Sequence, residues 1–196
     1  MITGVPKKVD HRQRREEIAV AVCRLAGRQG LDGVSLRQVA TEAGVSMGRV
    51  QHYFTTKDEM LRFAFRTISE RVERRMTAAV ADLGTSPPPR ALVRALLVEM
   101  LPLTEQTEAE APVLAAFLAR AVVEPALAEP QRADAQRLRE FVAAQIGAAP
   151  GDPVLEATTL LAVVDGLMTQ LLIGHIDRAT ALSTLDYQLA RIFGPV

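Results

Sequence analysis

Arg49 and Gln51 are the side chains of this 196-residue chain best suited to reading another molecule's hydrogen-bonding edge. Arg49 offers a planar fork of donors that matches the two acceptors of guanine. Gln51 pairs a donor with an acceptor, as adenine requires, and each good bidentate pair gives roughly 1–3 kcal/mol of base discrimination. Tyr53 and Lys57 follow where contacts to phosphate oxygens fix register without reading sequence. Met47, Gly48 and His52 occupy the same outward sides of the segment. Gly48 weakens a helix but allows its backbone a close approach to whatever it lies against.

Such residues work only if a framework presents them, and the flanking sequence supplies one. Ser35 precedes an apolar pattern and Gln38 follows three positions later, a capping box for a helix from Leu36. Gly44 ends that helix, and Ser46 caps a second one running to about Tyr53. Thr56 and Glu59 form a second capping box that opens a longer helix. Val45, Val50 and Phe54 share one side, where they can pack on Leu36, Val39 and Ala40. Two short helices about an Ala-Gly-Val turn predict a helix-turn-helix, whose second helix enters the DNA major groove.

These residues carry a family resemblance. Leu36-Arg37-Gln38-Val39-Ala40, Ala43-Gly44-Val45-Ser46, Tyr53-Phe54 and Lys57-Asp58-Glu59-Met60-Leu61 resemble the TetR family of bacterial transcription regulators, specifically over about residues 11 to 65. The resemblance implies a DNA-binding head before a helical body that binds ligand and dimerises. It places Arg37, Met47, Gly48, Arg49, Gln51, Tyr53 and Lys57 on the DNA side, with His52 beside them. Many members have tyrosine where this chain has Gln51. The order His52-Tyr53-Phe54 is similar to the branch that includes betaine-pathway repressors.

Composition agrees with an all-α chain of about nine helices. Hydrophobic residues make up 48% and aromatic residues 4%, with no Trp, which favours helices packed through small side chains over a β-sandwich. Net charge is zero, but residues 1–75 carry 15 Lys and Arg against 9 Asp and Glu, and residues 76–196 carry 8 against 14. A basic first part attracts phosphate and an acidic remainder avoids it. The single Cys23 suits a reducing cytoplasm, and the polar first ten residues do not resemble a signal peptide.

Residues 1–10 are expected to be a flexible arm, 11–56 the DNA-binding domain and 57–196 the ligand-binding and dimerisation domain. Lys7, Lys8, Arg12, Arg14 and Arg15 either touch the DNA backbone or are solvated. Ile18, Val22, Leu25 and Ala26 form the stripe of a first helix. The helix from Lys57 keeps one stripe through Leu61, Phe65, Ile68, Val72 and Met76 to about Leu83, and GTSPPP ends it. Residues 90–147 read as two or three helices, broken at Pro102, over Thr104–Pro112, and near Pro125 and Pro130. Glu105, Glu108 and Glu110 read as a solvated acidic loop with no histidine to complete a metal set.

Asp152 and Pro153 start a helix that is apolar on nearly every side up to Ile173, and a last helix follows Asp177. Glu156, Asp165 and Gln170 argue against a membrane span. Burial on all sides then calls for a second subunit, through Leu160, Val163, Val164, Leu167, Leu171, Leu182, Leu185 and Leu189. Asp165-Gly166-Leu167 is similar to a recurrent feature of the family's dimer helix. Met100, Leu103, Phe117, Met168 and Gln170 are the candidate pocket for a mainly hydrophobic effector.

The expected function is a dimeric regulator, in the family manner a repressor released from a palindromic operator by its effector. No cofactor, metal or catalytic residue is expected. His11, His52 and His175 fall in three elements, and no Ser-His-Asp, HExxH or phosphate-loop signature is present. The rival reading is a helical small-molecule-binding or interaction protein without operator binding.

Overall fold

The computed structural model describes residues 7–147 and 151–194, the stretches 7–10 and 125–131 by backbone alone. Among the described residues there are nine helices and no strand. They are α1 (Lys7–Gln29), α2 (Leu36–Glu42), α3 (Met47–Tyr53), α4 (Lys57–Ala81), α5 (Pro89–Val98), α6 (Glu105–Val123), α7 (Pro125–Ile146), α8 (Pro153–Leu172) and α9 (Arg178–Phe193).

Side-chain caps set most of the helix starts. The Ser35 hydroxyl accepts the Gln38 N–H at 3.3 Å, and the Gln38 carboxamide accepts the Ser35 N–H at 3.0 Å. Asp152 accepts from the N–H groups of Val154 and Leu155, with Pro153 at the first helical position. Asp177 accepts from Thr180 at 2.7 Å, a bond that holds its carboxyl below the usual range.

Two boundaries depart from the sequence reading. α1 begins at Lys7, so residues 7–10 belong to a helix, while residues 1–6 of the expected arm lie outside the described residues. Lys7, Lys8, Val9 and Asp10 contain no breaker, and the helical period can start there. Secondly, residues 105–112 are not a loop. Thr104 and Thr107 exchange backbone-to-hydroxyl hydrogen bonds at 3.2 and 2.9 Å, starting α6 and carrying it through Pro112. That proline leaves the Glu108 carbonyl without its helical donor, at a cost of about 3 kcal/mol. Pro130 likewise lies within α7.

The chain forms two compact units. The first comprises residues 1–70 with 112–117, and the second residues 71–111 with 118–196. The first unit therefore extends past the boundary expected at residue 56. Its core explains why: Met60, Leu61, Ala64 and Ile68 of α4 are fully buried along with Ile18 and Val22 of α1, Val39 of α2, and Val50 and Phe54 of α3. α1 and two seven-residue helices cannot enclose Phe54 without the first turns of α4.

In the second unit α5, α7, α8 and α9 surround a core of Val93, Leu97, Val142, Ile146, Leu160, Val164, Leu185 and Leu189. Arg94 and Asp186 pin α5 to α9 through paired bonds of 2.6 and 3.0 Å. The bond to Arg94 lowers the Asp186 carboxyl, and the same bond raises the Arg94 guanidinium. Glu110, expected in a solvated loop, is instead buried on α6, where Arg75 approaches at 2.8 Å and Arg71 at 3.5 Å. Arg75 also pairs with Glu99 at 3.1 Å. Glu108 pairs with Arg178.

The proposed dimer stripe needs correction. Leu160, Val164, Leu167, Leu185 and Leu189 are sealed inside their own unit. Val163 and Leu171 are half-buried against the same core, and Leu182 is half-buried on α9. A helix apolar on every side gives no phase from its pattern, so which stripe faces inward is decided by packing alone. The outward face of α8 and α9 carries Leu155, Thr158, Ala162, Asp165 and Tyr187 instead. Asp165 reaches solvent there, yet the apolar mass around it raises its carboxyl. By length and hydropathy α8 could cross a membrane, but its inner stripe is spent on this core.

Three of the five candidate pocket residues meet at one core. Met168 lies in the core of the second unit, and Met100 and Leu103 pack against it. Phe117 belongs to the first unit, its ring 4.8 Å from that of Phe65. Gln170 is exposed, about 200° round α8 from Met168, and supplies no buried polar anchor.

Candidate nucleic-acid interface

The interface is built by two caps and one turn. The chain leaves α2 through Gly44, whose φ of +65° is the left-handed conformation that a side chain disfavours. The Val45 N–H donates to the Ala40 carbonyl at 3.0 Å, closing the turn. Ser46 then accepts the Arg49 N–H at 3.2 Å and starts α3. At the far end Phe54 leaves helical geometry while its N–H still donates to Val50 at 2.9 Å.

With Val50 and Phe54 buried, the other sides of α3 must face out. Met47, Gly48, Arg49, Gln51 and His52 are exposed, as is Arg37 on α2, while Tyr53 and Lys57 are half-buried. Among the described residues no intrachain hydrogen bond engages the Arg49 guanidinium or the Gln51 carboxamide. A methyl group added at Gly48 would meet nothing within 4 Å. The glycine is therefore not required by packing within the chain.

Two of these residues have neighbours that the sequence did not reveal. The Lys57 ammonium donates to the Asp32 carbonyl at 2.9 Å, which ties α4 to the loop between α1 and α2. Tyr53 is flanked by two imidazoles, His11 at 4.8 Å and His52 at 5.2 Å between ring centroids, both edge-on. His11 comes from α1, far away in sequence, and nothing in the local pattern of Tyr53 pointed to it. Of the basic residues at the start of α1, Arg12 bonds Glu16 at 2.9 Å and Arg14 bonds Glu17 at 2.7 Å. Hydrogen bonding to Glu16 raises the Arg12 guanidinium further. The α4 entry is not a full capping box: Thr56 accepts from the Glu59 N–H at 3.1 Å, but the Glu59 carboxylate accepts from Thr55 at 2.9 Å.

The arrangement is a basic three-helix head whose short third helix presents free hydrogen-bonding side chains above a sealed base. Residues 18–63 match the family described as bacterial regulatory proteins, tetR family, and residues 89–194 match the BetI-type transcriptional repressor C-terminal domain. The chain belongs to the TetR family. It is 32% identical over 189 residues to the transcriptional regulator BetI of Burkholderia cenocepacia, covering 91% of this chain and 93% of that one. The regulator PksA of Bacillus subtilis is 42% identical over 118 residues, which span 60% of this chain but only 56% of PksA. A solved transcriptional regulator from Rhodococcus superposes with a TM-score of 0.82 at 34% identity, over 93% of this chain and 98% of that one. This TetR-family chain is thus a DNA-binding transcription regulator, and its relatives are named regulators, not enzymes.

Proposed function

We propose that the chain is a cytoplasmic repressor that binds a pseudo-palindromic operator as a two-fold dimer and is released by a small, mainly hydrophobic molecule. One observation carries the reading: Arg49 and Gln51 stand unengaged on the exposed side of α3, whose opposite side is anchored by buried Val50 and Phe54. Arg49 and Gln51 would read base edges, with Arg37, Met47, Gly48 and His52 alongside and Tyr53 near phosphate. Lys57 would reach phosphate with the N–H donors that its bond to Asp32 leaves over, while that bond fixes the start of α4.

The dimer is assigned to the outward faces of α8 and α9. Ala179, Thr180, Ser183, Thr184 and Tyr187 line a shallow groove of about 400 Å³ there, and small residues of this kind allow helices to approach closely. Leu155, exposed at 64%, and Tyr187, also 64%, supply the apolar contacts that the isolated chain leaves in water. A two-fold arrangement gives two recognition helices and half-sites about 34–36 Å apart, or a multiple of that spacing.

Composition of the second unit supports an apolar effector over an organic cation. A quaternary ammonium calls for an aromatic cage. The described aromatic side chains of this unit are Phe141, Tyr187 and Phe193, the first two exposed at 39% and 64%. Met100, Leu103 and Met168 remain as adaptable apolar lining. Release would follow from unequal effector affinity for two head spacings, transmitted along α4. The test is a shift of the DNA upstream of the chain's own gene, followed by release with metabolites that raise the thermal midpoint. A dimer that binds such a metabolite but shifts no DNA at low salt would favour the interaction-protein reading.

A further inference from the structure

Arg15 stands where α1, the end of α3 and the start of α4 meet. Its guanidinium carbon lies 4.7 Å from the ring centroid of Phe54 and 4.5 Å from that of Phe63, and the two rings are 5.4 Å apart. The planar cation therefore caps both rings at once, an arrangement attractive through the rings' negative faces. One Nη donates to the Glu59 carboxylate at 3.2 Å. The other oxygen of that carboxylate accepts the Thr55 N–H at 2.9 Å. Phe54, fully buried, is the residue at which the backbone leaves α3, and Thr55 is the next. Arg15 thus holds two consecutive residues at the exit of the recognition helix, Phe54 directly through its ring and Thr55 through the Glu59 carboxylate that bonds its N–H.

The grip matters because α3 has seven residues, less than two full turns. So short a helix does not hold its direction by its own hydrogen bonds, and its aim depends on what fixes its ends. Ser46 fixes the start. At the other end Arg15 and Glu59 do so, with Glu59 held in turn by its N–H bond to Thr56 at 3.1 Å. Arg15 itself is only 25% exposed, whereas Arg12 beside it is 72% exposed. Its side chain is committed inward, away from the role of a phosphate-seeking arginine.

We propose that Arg15 is a positioning residue for DNA recognition, holding the exit of α3 so that Arg49, Gln51 and Tyr53 are aimed, without itself touching DNA. The proposal rests on the assignment of α3 as the DNA-reading element. Charge alone does not suffice for this work. Lysine lacks the planar face that stacks on two rings while bonding a carboxylate, so Arg15→Lys fails to restore what Arg15→Met removes.

The experiment uses the full-length protein and both variants. Amide exchange is measured without DNA, and binding to the fragment upstream of the chain's own gene is measured over a series of salt concentrations. Both variants are expected to exchange the Phe54 and Thr55 amides about tenfold faster, while Val22 and Val39 keep their protection. Operator affinity falls about tenfold for both, with the slope of log K against log salt unchanged, since no phosphate contact is lost. Unaltered exchange at Phe54 and Thr55, full rescue by lysine, or a slope shallower by about 0.9 would each overturn the proposal, the last by making Arg15 a phosphate ligand. Absence of any shift by the wild-type chain would overturn the DNA-reading assignment instead, and the exchange data, taken without DNA, keep the two failures apart.

Discussion

Replacing Gly48 by alanine sets the stability of the head against its affinity for DNA. Gly48 is the second residue of α3, and a methyl group there projects into open space, so nothing in the chain resists it. Alanine in place of glycine restricts the unfolded backbone and favours the helix by about 0.5–1 kcal/mol, the lower end applying to a first-turn position. For a chain of this length that raises the thermal midpoint by about 1–4 °C. On DNA the sign reverses. If the α3 backbone lies against the groove at Gly48, the added methyl lifts the helix away and loosens the contacts of the adjacent Arg49. Losing one bidentate pair costs about 1–3 kcal/mol, so affinity falls by about 5-fold to 150-fold. Thermal unfolding by circular dichroism and fluorescence anisotropy on the upstream fragment read the two effects separately. A variant that melts higher and binds as tightly as wild type would refute the close approach at Gly48 and the docking orientation with it.

Arg49→Ala and Gln51→Ala are expected to erode preference for cognate over random duplex, by about 1–3 kcal/mol at the base each reads. Lys57→Ala should weaken both duplexes alike, which parallel titrations of each will compare. Leu155→Glu with Tyr187→Glu should yield a folded monomer in sedimentation, because both side chains are exposed on the outward face. Leu167→Ala should lower stability by about 2–5 kcal/mol instead, as deletion from a sealed core does. Asp165→Asn should stabilise the protein near neutral pH. The fold raises the Asp165 carboxyl through burial, so folding opposes its ionised form. The aspartate's stability is then full below the unfolded carboxylate value and is lost as pH rises through the raised one. The gap between variant and wild type in chemical unfolding should accordingly close in acid.

What the sequence disclosed follows from how far along the chain each determinant reaches. Ser35, Ser46, Asp152 and Asp177 act on backbone groups two or three residues away, and a linear reading finds them. Gly44 is legible for the same reason. Pro112 reads as a breaker in the sequence, yet the Thr104–Thr107 cap starts α6 ahead of it and the helix runs through it. The dimer stripe failed on a different ground: Leu160 and Leu155 are equally apolar, and only packing shows that the first is buried and the second exposed. Arg15, expected from the sequence to touch the DNA backbone or be solvated, instead turns inward, three residues before buried Ile18 on the same side of α1. Its partners Phe54, Glu59 and Phe63 come from elsewhere in the chain, and no local pattern assigns them. Likewise His11 met Tyr53 only through the fold.

The most direct test of the account is methylation interference on the bound upstream DNA. Guanine methylated at N7 is altered in the major groove, and adenine methylated at N3 in the minor groove. The account predicts that N7 methylation blocks binding at two clusters on one face of the duplex, about one helical turn or a multiple of it apart, and that Arg49→Ala relieves the block at its guanine. Interference confined to adenine N3, or a single cluster without a two-fold mate, would contradict it.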